Sequence, residues 1–377
     1  MGPYSKDVAK EFALQRLRLT PATLGKSRDD LPAVVSSIGG LQDGGHKIEL
    51  LNRFENFRAR WFDYWYENHT LIAGHVLRGA LRIVNVDEYP YYFKATRKVA
   101  RRRAAYHRCP RNLTAAHFEA LKAVSKYGPF TPSEFDDFLG AKHSLPKGRA
   151  KALLYELYNY GRVARIGKRR NRPLYYVLEK LPYELDMQIS ENDAEKWLFL
   201  KCLSIYGPFR LEDIAHWVGW TLNETRRISK ILLHEKAITG VRVEGLQETC
   251  FVRTDDLSVL DSLAVNLPEH SFIRILFNDD ALLLGYYKRL ESDFGYDWRY
   301  PQFSEGIVWR AAILYGKQII GEATLDMHVK SPNFVVKSLT LLEKAATSEI
   351  TSKIQEELQK HSNFHDKTLE MTEPTLI

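Results

Sequence analysis

Cysteine is scarce in this 377-residue chain: Cys109, Cys202 and Cys250 stand far apart. An odd number with no Cys-x-x-Cys pair argues against a disulfide framework or a zinc site and favours a reducing compartment. The 12 histidines are scattered, and His69 and His75, six apart, lack metal-ligand spacing, so no metal and no cofactor are expected. A Gly-x-x-x-x-Gly-Lys phosphate loop and a Gly-x-Ser-x-Gly nucleophile elbow are both missing. No apolar run approaches the roughly 20 residues of a membrane-crossing helix, and the N-terminus shows no signal-peptide pattern. The expectation is a soluble cytoplasmic protein, monomeric and without a membrane partner.

What the chain has is a repeat and an excess of positive charge. Tyr127-Gly128-Pro129-Phe130 recurs as Tyr206-Gly207-Pro208-Phe209, and the same offset of 79 residues places Leu121, Lys151, Leu154 and Glu156 on Leu200, Lys230, Leu233 and Glu235. A constant offset means one supersecondary plan used twice. In each copy a helix ends at Gly-Pro, because proline forbids a further turn. A short helix follows with acidic residues in its first turn (Ser133-Glu134, Glu212-Asp213) and closes at Gly140 or Gly219. A third carries the apolar stripe Ala150, Leu153, Leu154, Leu157 or Ile228, Ile231, Leu232. After Gly161 and Gly240 the pattern alternates, as strands do. Three helices and a β-hairpin make a winged helix, whose third helix can enter a DNA groove.

The N-terminal stretch repeats the order without repeating the letters. Helices are expected near Val8 to Leu19, over Leu31 to Ser37 and from about Lys47 to Tyr66. Val76-Leu77-Arg78 and Leu81 to Val84 would then pair across Gly79-Ala80. Toward the other end, alternating runs at Phe272 to Phe277, Gly306 to Tyr315, Gln318 to Asp326 and Asn333 to Leu342 predict a small barrel or curled sheet. The fold class is therefore α+β: three tandem winged helices followed by a small C-terminal β-barrel. The boundaries are 1–93 for the first winged helix, 94–112 for a basic linker and 113–182 for the second winged helix. The third spans 190–256, the barrel 268–343, and a helix with a polar tail 344–377.

The net charge is +7, and its distribution matters more than its size. Between Glu156 and Glu179 there is no acid, but Arg162, Arg165, Lys168, Arg169, Arg170 and Arg172 cluster on and around the first copy's hairpin. The equivalent hairpin of the second copy holds Glu244 and Glu248 instead. A second acid-free run holds Lys94, Arg97, Lys98, Arg101, Arg102 and Arg103. Either run alone reads as a solvated surface; two flanking one winged helix read as phosphate contacts on double-stranded DNA.

Several segments resemble the AlkZ/YcaQ-type winged-helix DNA glycosylases. Ile38-Gly39-Gly40-Leu41-Gln42 is similar to that family's Gly-Leu-Gln segment, and Leu77-Arg78-Gly79-Ala80-Leu81-Arg82 to its Arg-Gly-Thr-Leu-His block. Tyr300-Pro301, Leu314-Tyr315-Gly316-Lys317 and Ile320-Gly321 look like its barrel pieces. The resemblance implies recognition of damaged or alkylated DNA and hydrolysis of an N-glycosidic bond, with Arg78 and Arg82 joining the DNA contacts. The family reads Gln-x-Gln or Gln-x-Asp where this chain reads Gln42-Asp43-Gly44, and its histidine in the second block is here Arg82. Gln42, Asp43 and His46 are the candidates to orient and activate water. Asp43-Gly44-Gly45 reads more readily as a plain turn, since turn chemistry accounts for all three residues without further assumption. A non-enzymatic transcriptional regulator or architectural DNA-binding protein is the alternative function, and a protein-binding scaffold a third.

Overall fold

The computed structural model describes residues 3–42, 46–106, 112–143, 146, 148–170, 172–181, 185, 188–297, 308–326, 331–371 and 374–376. The chain begins with α1 (Lys6–Arg16), capped by the Ser5 hydroxyl, which accepts from Val8 N at 3.2 Å. Then come α2 (Leu31–Ser37), the two-residue β1 (Leu41–Gln42), α3 (His46–Leu51) and α4 (Ala59–Glu67). The single helix expected over Lys47 to Tyr66 is thus two. Between them the backbone leaves the helix to pair with an earlier loop, Gly25 N donating to Arg53 O and Glu55 N to Gly25 O.

The hairpin that follows also differs from expectation. Its strands are β2 (Leu71–His75) and β3 (Leu81–Asn85), in register from Leu71↔Asn85 to His75↔Leu81, and Leu77–Gly79 is a helical turn at the tip rather than strand. The basic stretch expected as a linker is most of an 18-residue helix, α5 (Tyr89–Tyr106). Tyr89, Tyr92, Thr96 and Val99 recur at helical spacing and are buried, while Arg97, Lys98 and Arg102 are exposed. Charge density concealed that period.

The two repeats share one order. The first is α6 (Ala115–Tyr127), α7 (Pro132–His143), α8 (Arg149–Asn159), β4 (Val163–Arg169) and β5 (Arg172–Val177). The second is α9 (Glu191–Tyr206), α10 (Leu211–Val218), α11 (Leu222–His234), β6 (Ile238–Val241) and β7 (Cys250–Arg253). Even the bridges after each Gly-Pro correspond, Phe130↔Tyr175 and Phe209↔Phe251. Their burial does not correspond. The first repeat has a core of its own around Phe135, Leu154 and Leu157, whereas Phe199, Leu203, Trp217 and Ile228 of the second share one core with the N-terminal unit.

The C-terminal part opens with α12 (Leu257–Val265), β8 (Ile273–Phe277), α13 (Ala281–Gly285) and α14 (Leu290–Phe294). β9 (Val308–Tyr315), β10 (Gln318–Asp326) and β11 (Asn333–Leu341) follow, then α15 (Ser348–Phe364), β12 (Thr368–Met371) and β13 (Thr375–Leu376). Among the described residues the sheet is an open six-stranded one, ordered β12-β11-β10-β9-β8 with β13 also on β11. The expected barrel does not close there because α15, with Ile354 and Leu358 buried, packs across β8. The expected polar tail is also corrected, since β12 and β13 add to β11 in parallel.

A buried polar cluster joins α3 to this sheet. Arg53 is 0 % exposed and forks onto Asp280 at 2.7 and 2.9 Å, while Asn52 donates to Ile275 O at 2.7 Å. Glu49 accepts from Ala281 N at 3.0 Å. Burial pushes the Glu49 carboxyl up from 4.5 to about 7, against the opposing charge of Arg53 and with help from Asp280. A carboxyl whose pKa rises on folding binds more protons folded than unfolded, so its contribution is full below about 4.5 and lost as pH climbs through about 7. Thermal unfolding across that range should show Glu49→Gln losing less stability with rising pH than the wild type. Parallel curves for the two proteins would remove Glu49 as the titrating group.

Candidate nucleic-acid interface

One sheet, ordered β1-β3-β2-β4-β5, unites the N-terminal hairpin with the first repeat's hairpin. Gln42 sits half-buried on β1, opposite Arg82 of β3, and the basic β4-β5 wing lies beyond β2, where Ala73 pairs with Arg165. Three strand spacings separate β1 from β4, roughly 14 Å. Two residues that seemed unrelated in the chain, Gln42 and Arg165, therefore share one scaffold.

The approach to Gln42 is made by Gly39 and Gly40, with φ of 72° and 85°. A Cβ on Gly40 would sit 2.5 Å from Val84 Cγ1 and 2.9 Å from Ile83 O, so β1 can lie this close to β3 only with glycine there. Asp43, Gly44 and Gly45 lie outside the described residues; His46 begins α3, and its side chain is likewise outside. Arg82 requires a correction. Expected among the DNA contacts, it is 1 % exposed and donates to Gly40 O at 2.9 Å. Its role is to brace the turn leading to Gln42, and its charge opposes the rise in the Glu49 pKa.

Around α5 the basic residues separate into distinct environments. Lys98 pairs with Glu191 at 2.5 Å, and Arg102 donates to Gly219 O at 3.2 Å with Glu224 at 3.8 Å. Arg97 lines a hollow of about 330 Å³ with His75, Phe93, Asn159 and Arg162. Lys94 is half-buried, and the side chains of Arg101 and Arg103 are outside the described residues. Arg78 occupies the β2-β3 turn at φ 53°, left-handed backbone that costs a residue other than glycine about 1 kcal/mol or more. Its guanidinium lies 3.3 Å from His216 Nε2, and with Arg102, Trp220 and Lys288 it lines an open hollow of about 710 Å³. Burial first, then the charges of Arg78 and Lys288, lower the His216 pKa to about 4, so the ring is neutral near pH 7.

On the wing, Arg169 pairs with Glu134 at 3.0 Å and Arg172 donates to Ser133 Oγ at 2.5 Å, so α7 holds two of its cations. Lys168 and Arg170 have no ion pair among the described residues, and Arg170 turns the hairpin at φ 49°. Neither His216 nor Lys288 stood out in the sequence, because each is distant from the basic runs; only the fold brings them to Arg78. No cluster of His, Cys, Asp or Glu able to hold a metal occurs among the described residues, and none of their helices is long and apolar enough to cross a membrane.

A family model described as DNA glycosylase AlkZ-like matches residues 35–364. Among solved structures, the Streptomyces sahachiroi DNA glycosylase AlkZ superposes with a TM-score of 0.74, covering 98% of this chain and 100% of that one at 15% identity, a likeness of fold. No curated protein matches the sequence. Taken with the family match over most of its length, these findings show that the chain belongs to the AlkZ-like DNA glycosylase family.

Proposed function

We propose that this protein binds double-stranded DNA, recognises an alkylated purine and hydrolyses its N-glycosidic bond, using three winged-helix units and the C-terminal sheet as the frame. The observation that carries this reading is the shared sheet, which sets the Gln42 strand and the basic wing on one scaffold. In this reading Lys168, Arg169, Arg170 and Arg172, with Arg97, Lys98, Arg102 and Arg78, take backbone phosphates, and Arg165 lies on the strand that joins them to β2. Phosphate contacts position a protein on the duplex without reading sequence.

The chemistry asks little of the side chains. An N7- or N3-alkylated purine carries positive charge and leaves as a neutral base, taking the electrons of the bond from the sugar C1′. Water then adds to the oxocarbenium-like C1′ and gives up a proton. Gln42 orients that water, and Asp43 or His46 takes the proton, a contribution of about 10²- to 10⁴-fold. Gly44 offers no side chain in the family's second polar slot, and Arg82, where the family has histidine, is committed to Gly40 O. Those two residues favour the second reading, a DNA-binding protein that recognises lesions without cutting.

Two outcomes follow. Incubated with a duplex carrying an N7-alkylated guanine, the wild type should release base faster than the Gln42→Ala, Asp43→Ala double variant; equal release would leave only the binding reading. Titrated with duplex at several salt concentrations, Lys168→Gln, Arg170→Gln should bind more weakly and with a salt slope smaller by up to about two. An unchanged slope would remove the wing from the interface.

A further inference from the structure

Cations from three parts of the chain meet at the β2-β3 turn. Arg78 comes from the turn itself, Arg102 from α5, and Lys288 from the segment between α13 and α14, all on the open hollow of about 710 Å³. Glu212 is the one carboxylate among its lining residues. The guanidinium of Arg102 is anchored to Gly219 O, and that of Arg78 donates to His216 Nε2. Burial first, then the neighbouring cations, keep the ring neutral, and because a guanidinium can only donate, Nε2 is the nitrogen without a proton. The imidazole plane is set in turn by stacking on Tyr287, with 5.7 Å between centroids and 10° between planes.

His216 therefore aims an arginine fork without adding charge or competing for an anion. Three cations against Glu212 in the lining and Glu224 beside Arg102 leave the hollow with an excess of positive charge, and an arginine in left-handed backbone where glycine would be strain-free indicates that its side chain is wanted there. We propose that this hollow is a phosphate-binding pocket for the backbone of a nucleic-acid strand, with Arg78, Arg102 and Lys288 as its ligands and His216 as the positioning residue for Arg78. A strand rather than a free phosphate is favoured because Arg97 and Arg162 line the second hollow against the same helix, offering the chain of phosphates a continuation. The proposal rests on the DNA-contact reading above.

The charged and titratable groups around His216 are Arg78 from the turn, Lys288, Glu212 and Asp213 on its own helix, and Arg102 across the hollow with Glu224 of α11 at 3.8 Å from it. A bound phosphate adds negative charge among them and should raise the His216 pKa.

The test is duplex affinity over about 50 to 200 mM salt for Lys288→Gln, Arg78→Gln, His216→Ala and His216→Gln. Lys288 is exposed, so Lys288→Gln should leave the fold intact. Each cation variant should reduce the salt slope by about one. His216→Ala should lower affinity several-fold at an unchanged slope, and His216→Gln, which keeps an acceptor, should restore it. Wild-type affinity and slope in both cation variants would overturn the pocket. Inorganic phosphate, followed by the His216 ring resonances, forms the second arm. If phosphate raises the His216 pKa while duplex binding ignores Lys288→Gln, the pocket serves a free anion and the strand assignment is overturned. A wild type that binds no duplex sinks the DNA reading itself, and an unmoved His216 resonance with phosphate then sinks the pocket too.

Discussion

Arg53 has no access to water, and its charge is met by Asp280, 227 residues further along the chain. A buried charge is tolerable only while paired, and removing one partner of such a pair typically costs about 3–5 kcal/mol. The pair therefore ties the segment just after α3 to the turn between β8 and α13. α3 begins at His46 and β1 ends at Gln42, so the described chain after residues 43–45 is held through Arg53 and the chain before them through Arg82 on Gly40 O. Arginine at two buried positions does structural work that net charge alone would have credited to nucleic acid.

The positive residues thus fall into three groups. Arg53 and Arg82 are interior. Arg169, Arg172 and Lys98 are surface cations with partners from neighbouring elements. Arg170 and Lys288 are exposed and Lys168 half-buried, and none of the three has an ion pair among the described residues. The two repeats divide in the same way: the second is built into the shared core, while the first keeps its own core and presents its hairpin beside β2.

Much of this was legible in the sequence because it is local. The Gly-Pro helix ends, α2, β10 and β11 rest on spacing and turn residues within a dozen positions, and the repeat shows as a constant offset in the letters themselves. The helical nature of 89–106 was obscured because its arginines dominate the composition while the buried Tyr89, Tyr92 and Val99 are few. The joining of β2 to β4 depends on residues 92 apart pairing across units, which no local pattern records. His216 and Lys288 were invisible for the same reason, and the helical tip at Leu77–Gly79 turns on one arginine accepting left-handed backbone.

The central claim is that one sheet presents the Gln42 strand and the basic wing to the same duplex. Hydrogen exchange of the protein with and without a duplex carrying N7-alkylated guanine measures this directly. Exchange should slow together in Leu41–Gln42, in the Leu77–Gly79 turn and across Val163–Val177. Slowing confined to α11 and the β6-β7 hairpin, with 71–85 and 163–177 unchanged, would contradict it.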